Sequence, residues 1–103
     1  MTHPASPIFR AMKDSAYTAF LAGLGRRLGA VRRSRGLSQE RVAQMLDMDR
    51  VSIGYIEQGR RSPRLATLYR LATLYDVRVT DFFDFEETAD EVLGRLVDDG
   101  PEA

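Results

Sequence analysis

The chain has no cysteine and a single histidine. Without thiols it can form no disulfide, no zinc–thiolate site and no cysteine nucleophile. His3 lies in a proline-rich start, Thr2-His3-Pro4-Ala5-Ser6-Pro7. One imidazole cannot build a metal site, so His3 reads as a tail residue, and no metal or cofactor is expected. Apolar runs are short. None approaches the ~20 residues needed to span a bilayer, and no signal-peptide pattern opens the chain. The expectation is a soluble, cytoplasmic protein with no membrane partner. No Ser–His or Cys–His set and no glycine-rich phosphate loop is present, and the carboxylates gather at one end of the chain, so an enzyme is not expected. Lysine is nearly absent as well: Lys13 stands against 14 arginines.

What remains is a globular composition. The 103 residues are 44% hydrophobic and 29% charged, which fits one small all-α domain with tails. A core of that size is small, and partner chains add stability to such domains. The net charge of zero hides a split. Through Arg78, Lys13 and 13 arginines face six carboxylates, a net of +8; from Val79 onward nine carboxylates face Arg95 alone, a net of −8. The basic part suits a polyanion, and arginine prefers bidentate contacts to phosphate and guanine. Ordinary solvated charge is the rival reading.

The apolar periods divide the chain into a flexible leader (1–13), a helical domain (14–84) and an acidic end (85–103). A first helix is expected from about Ser15 to Ser34, with Tyr17, Phe20, Leu21, Leu24, Leu28 and Val31 on one face and Gly36 as its stop. A second starts after Ser38 as N-cap, with Val42, Ala43, Leu46 and Met45 inward. Asp47-Met48-Asp49 then makes a tight turn. A third helix runs from about Arg50 to Gln58, with Ile53 and Ile56 inward and Gly59 ending it. A fourth runs from about Arg64 to Tyr75, burying Leu65, Leu68, Leu71, Ala72 and Leu74. A short fifth helix, capped by Thr80, plugs the core with Phe82 and Phe83. Thr88-Ala89-Asp90-Glu91 is a capping box opening a last acidic helix with Val92, Leu93, Leu96 and Val97 on one side.

Two short helices joined by a tight turn form either a helix-turn-helix or an ordinary helical hairpin. Here the crossing residue Ala43 is small, Asp47 tolerates a left-handed turn, and Met48 can fill the space beneath it. Arg50, Val51, Ser52, Gly54, Tyr55 and Gln58 are expected on the outer face of the third helix. None is acidic, which suits a groove lined with acceptors.

Residues Leu24 to Phe83, about 60 of the 103, resemble the Cro/C1-type (xenobiotic-response-element) helix-turn-helix family. The resemblance rests on Leu24-Gly25-Arg26-Arg27-Leu28, Arg32 to Leu37, Ser38-Gln39-Glu40, Val42-Ala43, Ile53 to Gly59, Ser62-Pro63 and Leu71-Ala72. The chain departs from the family at Asp47 and Tyr75, where the family often has glycine. The resemblance implies a five-helix, lambda-repressor-like DNA-binding domain, and a regulator acting as a homodimer on an inverted-repeat operator in double-stranded DNA. It would be nucleoid-associated when bound. By position, Gln39 would hold a phosphate, and Arg50, Val51 and Tyr55 would read bases, with Ser52 and Gln58 flanking them. Arg60, Arg61 and Arg64 are candidate phosphate clamps. Each residue has a plainer reading: Arg50 and Val51 as solvated residues, Tyr55 as a cover on the core. Glu57 is expected to bond within the fold, to an arginine of the first helix. The acidic end, through Val92, Leu93, Leu96 and Val97, is read as a dimerisation segment, with packing on its own domain or capture of another protein as alternatives. The second functional reading is an antitoxin or other protein-interaction module with secondary DNA binding.

Overall fold

The structure is a computed structural model that describes residues 15–85, together with Pro7. Four α-helices and a closing 3-10 turn make up the described residues, with no strand among them. They are α1 (Tyr17–Ser34), α2 (Gln39–Leu46), α3 (Arg50–Glu57), α4 (Leu65–Tyr75) and the turn Val79–Phe83. The expected fifth α-helix is thus a 3-10 turn, and Thr80 does not cap it. The turn begins after Arg78, whose N–H donates to the Asp81 carboxylate at 2.9 Å. The leader and the acidic helix with Val92, Leu93, Leu96 and Val97 lie outside the described residues.

Each short helix starts and stops on a local signal. Ser38 and Asp49 are extended residues whose side chains accept from the N–H groups of Arg41 (3.0 Å) and Ser52 (2.8 Å), satisfying orphan donors at the starts of α2 and α3. All four helices end through one left-handed residue: Gly36, Asp47, Gly59 and Asp76. At Asp47 the reversal lets the Met48 N–H close on the Ala43 carbonyl at 2.8 Å, and at Asp76 the Val77 N–H closes on Ala72 at 3.0 Å. Aspartate tolerates this conformation better than most residues, but it also sets a negative charge at the negative end of the helix dipole.

The core gathers Leu24, Leu28 and Val31 of α1, Val42, Ala43 and Leu46 of α2, and Ile53 and Ile56 of α3 under Leu68, Leu71 and Ala72 of α4. Two aromatic residues close it. Phe82 and Tyr75 are almost wholly buried and meet edge to face, with centroids 6.2 Å apart. Tyr75 therefore keeps a helical backbone, and the left-handed role passes to Asp76. Burial holds the Tyr75 phenol above its usual pKa range. Five apolar residues expected inside are exposed, Tyr17 and Phe20 of α1 among them. Leu65, 76% exposed, leaves the first position of α4 into solvent; Met45 and Phe83 are also exposed. Phe83 instead stacks on Phe20, centroids 6.0 Å apart, and Phe85 leans on the same ring and covers Gly23.

The position of α3 depends on close backbone approach to α1. A Cβ at Gly25 would stand 2.6 Å from the Ile56 carbonyl oxygen, and one at Gly59 would stand 2.8 Å from the Ala22 Cα. Glycine at these two positions lets the end of α3 rest directly on α1.

Asp47→Gly should stabilise the domain by up to about 1 kcal/mol, since it relieves the left-handed strain and removes the charge at the end of α2. Thermal unfolding followed by circular dichroism should show a rise of a few degrees. A lowered midpoint would mean that the Asp47 side chain contributes more than its backbone geometry costs.

Candidate nucleic-acid interface

Glu57 is the only carboxylate within α3, and it turns inward. Arg32 of α1 meets it with a two-pronged contact, Nε to Oε2 at 2.8 Å and Nη2 to Oε1 at 3.1 Å. Both side chains are about nine-tenths buried (10% and 9% exposed). The remaining donor of Arg32, Nη1, reaches the Leu37 carbonyl at 2.8 Å, and the Gln39 amide donates to Glu57 Oε1 at 2.9 Å. This hydrogen bonding to Glu57 raises the Arg32 pKa against the opposing effect of burial. One carboxylate on the last turn of α3 thus ties it to α1 and to the first residue of α2. The sequence predicted a helix-1 arginine for Glu57; the structure identifies it as Arg32.

With Glu57 drawn inward, the outer edge of α3 carries no acid. Arg50 is exposed on the first turn, and no hydrogen bond or ion pair holds it among the described residues. Val51 beside it is 55% exposed, a large value for a β-branched apolar side chain. Ser52 is half-buried. Its hydroxyl donates to Asp49 at 3.0 Å and accepts from Arg61 Nη1 at 2.8 Å. The bonds from the Ser52 N–H and hydroxyl hold the Asp49 carboxyl below its ordinary range. The cap is therefore fully formed above the ordinary carboxylate pKa and is lost only as pH falls through the lowered value. Tyr55 is half-buried, and the guanidinium carbons of Arg60 and Arg61 lie 4.6 Å and 5.4 Å from its ring centre. Gln58 is exposed and accepts from Arg60 at 3.4 Å. Arg64 is the N-cap of α4 and is exposed.

The expected residues thus fall into two groups. Arg50, Val51, Ser52, Tyr55, Gln58, Arg60 and Arg61 belong to one continuous strip, from the start of α3 through the loop after it. Arg61 and Arg64 also border a cleft with Ser52, Ser62 and Thr67, and sequence reasoning had named neither Ser62 nor Thr67 as part of the site. Gln39 is half-buried and committed to Glu57, and Gly54, expected outside, is buried beside it. Other arginines that made the sequence basic serve the fold. Arg27 donates to the Asp81 carbonyl at 2.8 Å and Arg35 to the Tyr75 carbonyl at 2.6 Å, while Arg70 donates to the Leu46 carbonyl.

The comparisons with known proteins fall on these same elements. A family model described as Helix-turn-helix (HTH_3) matches residues 28–82, from within α1 to the closing 3-10 turn. The chain belongs to this helix-turn-helix family. Its relatives are named HTH-type transcriptional regulators, in line with the regulator family that the Cro/C1-type resemblance implied. Over 67 residues, 65% of this chain, it is 37% identical to the HTH-type transcriptional regulator PuuR of Escherichia coli. That match spans only 36% of PuuR, so the chain corresponds to about a third of that regulator. The restriction-modification controller protein C.AhdI from Aeromonas hydrophila is similar in structure, with a TM-score of 0.62 at 36% identity, over 65% of this chain and 97% of C.AhdI. An HTH_3 family transcriptional regulator from Vibrio cholerae superposes with a TM-score of 0.59 at 33% identity, covering 65% of this chain and 38% of that one. No helix among the described residues is long and apolar enough to cross a membrane.

Removing one partner of a buried ion pair leaves the other charge uncompensated, at about 3–5 kcal/mol. Glu57→Ala should therefore be strongly destabilised, losing a large share of the about 5–15 kcal/mol that keeps a domain of this size folded. Urea unfolding of Glu57→Ala, Arg32→Met and the double variant checks this. The double variant should be far less destabilised than the sum of the two single variants; strict additivity would show that the pair is not coupled.

Proposed function

We propose that the protein is a sequence-specific transcriptional regulator, a repressor that binds an inverted-repeat operator as a homodimer with α3 in the major groove. The observation that carries this reading is the outer edge of α3. It presents an uncommitted arginine and an exposed valine at its start, turns its one acid inward, and leads into a loop of three further arginines. Arg50 can donate twice to guanine O6 and N7, and Val51 can pack on a thymine methyl group. Tyr55 lies one turn further along the same edge. Ser52 and Gln58 flank this edge, and Gln39, whose amide gives one hydrogen to Glu57, has the second to offer a phosphate. Arg60, Arg61 and Arg64 supply sequence-independent contacts to the phosphates.

Geometry and charge support the homodimer reading. One recognition helix covers only a half-site, and two copies ~34 Å apart would place both helices on one face of the duplex. The acidic end would pair through Val92, Leu93, Leu96 and Val97 in this reading, and its net negative charge would keep it off the DNA. C.AhdI, matched over 97% of its length, is called a controller protein. That supports a regulatory role for this domain. A dimer seated across an operator can repress by occupancy alone.

Selection of bound duplexes from a random pool should enrich an inverted repeat, with half-site centres about one helical turn apart. An unenriched pool would contradict the proposal. Arg50→Ala should cost about 1–3 kcal/mol on the selected site and relax preference at one base pair; an equal loss on every sequence would assign Arg50 to phosphate. Arg61→Ala, measured by fluorescence anisotropy across a salt series, should weaken all sequences alike and reduce the salt slope by about one.

A further inference from the structure

Tyr55 stands where a base reader is expected, yet its ring is already in use. Both Arg60 and Arg61 hold their guanidinium groups against it, at 4.6 Å and 5.4 Å from its centre. A guanidinium over an aromatic face is attracted by the electron-rich ring. Each arginine is fixed by a second contact. Arg61 Nη1 donates to the Ser52 hydroxyl at 2.8 Å, and that hydroxyl donates in turn to Asp49 at 3.0 Å. Arg60 is anchored through its backbone, whose N–H donates to the Tyr55 carbonyl at 2.9 Å, and its Nη1 reaches Gln58 Oε1 at 3.4 Å. Two cations are thus drawn to one ring. Among the described residues neither has a carboxylate within ion-pair distance; the described ion pair is Arg32–Glu57. Asp49, which meets Arg61 through the Ser52 hydroxyl, is occupied with capping α3.

Such convergence of like charges is costly unless an anion joins them, and a phosphodiester has the charge and the acceptors to do so. Ordering long side chains before binding also removes an entropy cost from the binding step. We infer that Tyr55 is a positioning residue: with Ser52 and Asp49 it holds Arg60 and Arg61 as a preformed clamp for the DNA phosphate backbone, and it does not read a base. This rests on the proposed DNA-binding function. It gives Tyr55 a role different from the one its place on α3 suggested.

The test is binding of the full chain to its selected duplex and to an unrelated duplex across a salt series. Tyr55→Phe keeps the ring and should lose far less on either duplex than removal of the ring does. Tyr55→Leu removes the ring and should weaken both duplexes equally, by about five- to tenfold, with the preferred bases unaltered. Placed in an Arg60→Ala/Arg61→Ala background, Tyr55→Leu should have no further effect. Ser52→Ala, which spares the ring and frees Arg61, should weaken both duplexes in the same uniform way. A shift in preferred base with Tyr55→Leu, or an undiminished loss in the double-alanine background, would overturn the clamp and return Tyr55 to base reading. A native protein that binds neither duplex would instead overturn the DNA-binding proposal itself.

Discussion

A guanidinium buried away from water must find a carboxylate, and in this domain Glu57 meets Arg32 with both oxygens. The pair joins the middle of the fold at a single point. Arg32 belongs to α1, Glu57 to α3, and Gln39, which bonds the same carboxylate, opens α2. The packing around it is equally close, because Gly25 and Gly59 let the backbones of α1 and α3 approach without intervening side chains. A polar anchor and two glycine contacts therefore set the position of an eight-residue helix that has few side chains of its own to bury. Isolated helices this short are unstable in water, so the orientation of α3 is a property of its surroundings.

The same arrangement divides the arginines by task. Arg27, Arg32, Arg35 and Arg70 are spent on carbonyls and on Glu57, binding α1 and α4 to their neighbours. Arg50, Arg60, Arg61 and Arg64 remain at the surface, on the edge formed by α3 and its following loop. Overall charge is thus a poor guide to where a polyanion docks. The inward turn of Glu57 matters as much as the outward turn of Arg50, since an acid on that edge would repel phosphate.

Much of this is legible in the sequence itself. Ser38, Asp49, Gly36 and Gly59 bracket α2 and α3 by local chemistry alone, and the structure uses all four as anticipated. Asp47 adopts the left-handed turn that its side chain tolerates. Family resemblance and the residues' own chemistry agreed on the helix-turn-helix. Tertiary choices were not legible. Periodicity fixes the direction in which a side chain leaves its helix, not whether a neighbour stands opposite; Leu65 is in phase with Leu68 yet exposed. Tyr75 could join the core because Asp76, rather than Tyr75, reverses the chain. The last element is a 3-10 turn because five residues, closed by the bond from Arg78 to Asp81, are too few for a second α-helical turn. Which arginines bind carbonyls depends on distances between helices that no local pattern encodes.

DNA binding is proposed on one surface, the edge running from Arg50 through Tyr55 to Arg64. Nuclear magnetic resonance titration of isotope-labelled protein with duplex DNA tests it most directly. Amide and arginine side-chain signals of residues 50–55 and 58–64 should move most, while those of Arg27, Arg35 and the exposed α4 face around Tyr69 should stay nearly fixed. Shifts concentrated on α4 or on the Phe20–Phe83 cluster, with residues 50–64 unmoved, would contradict it.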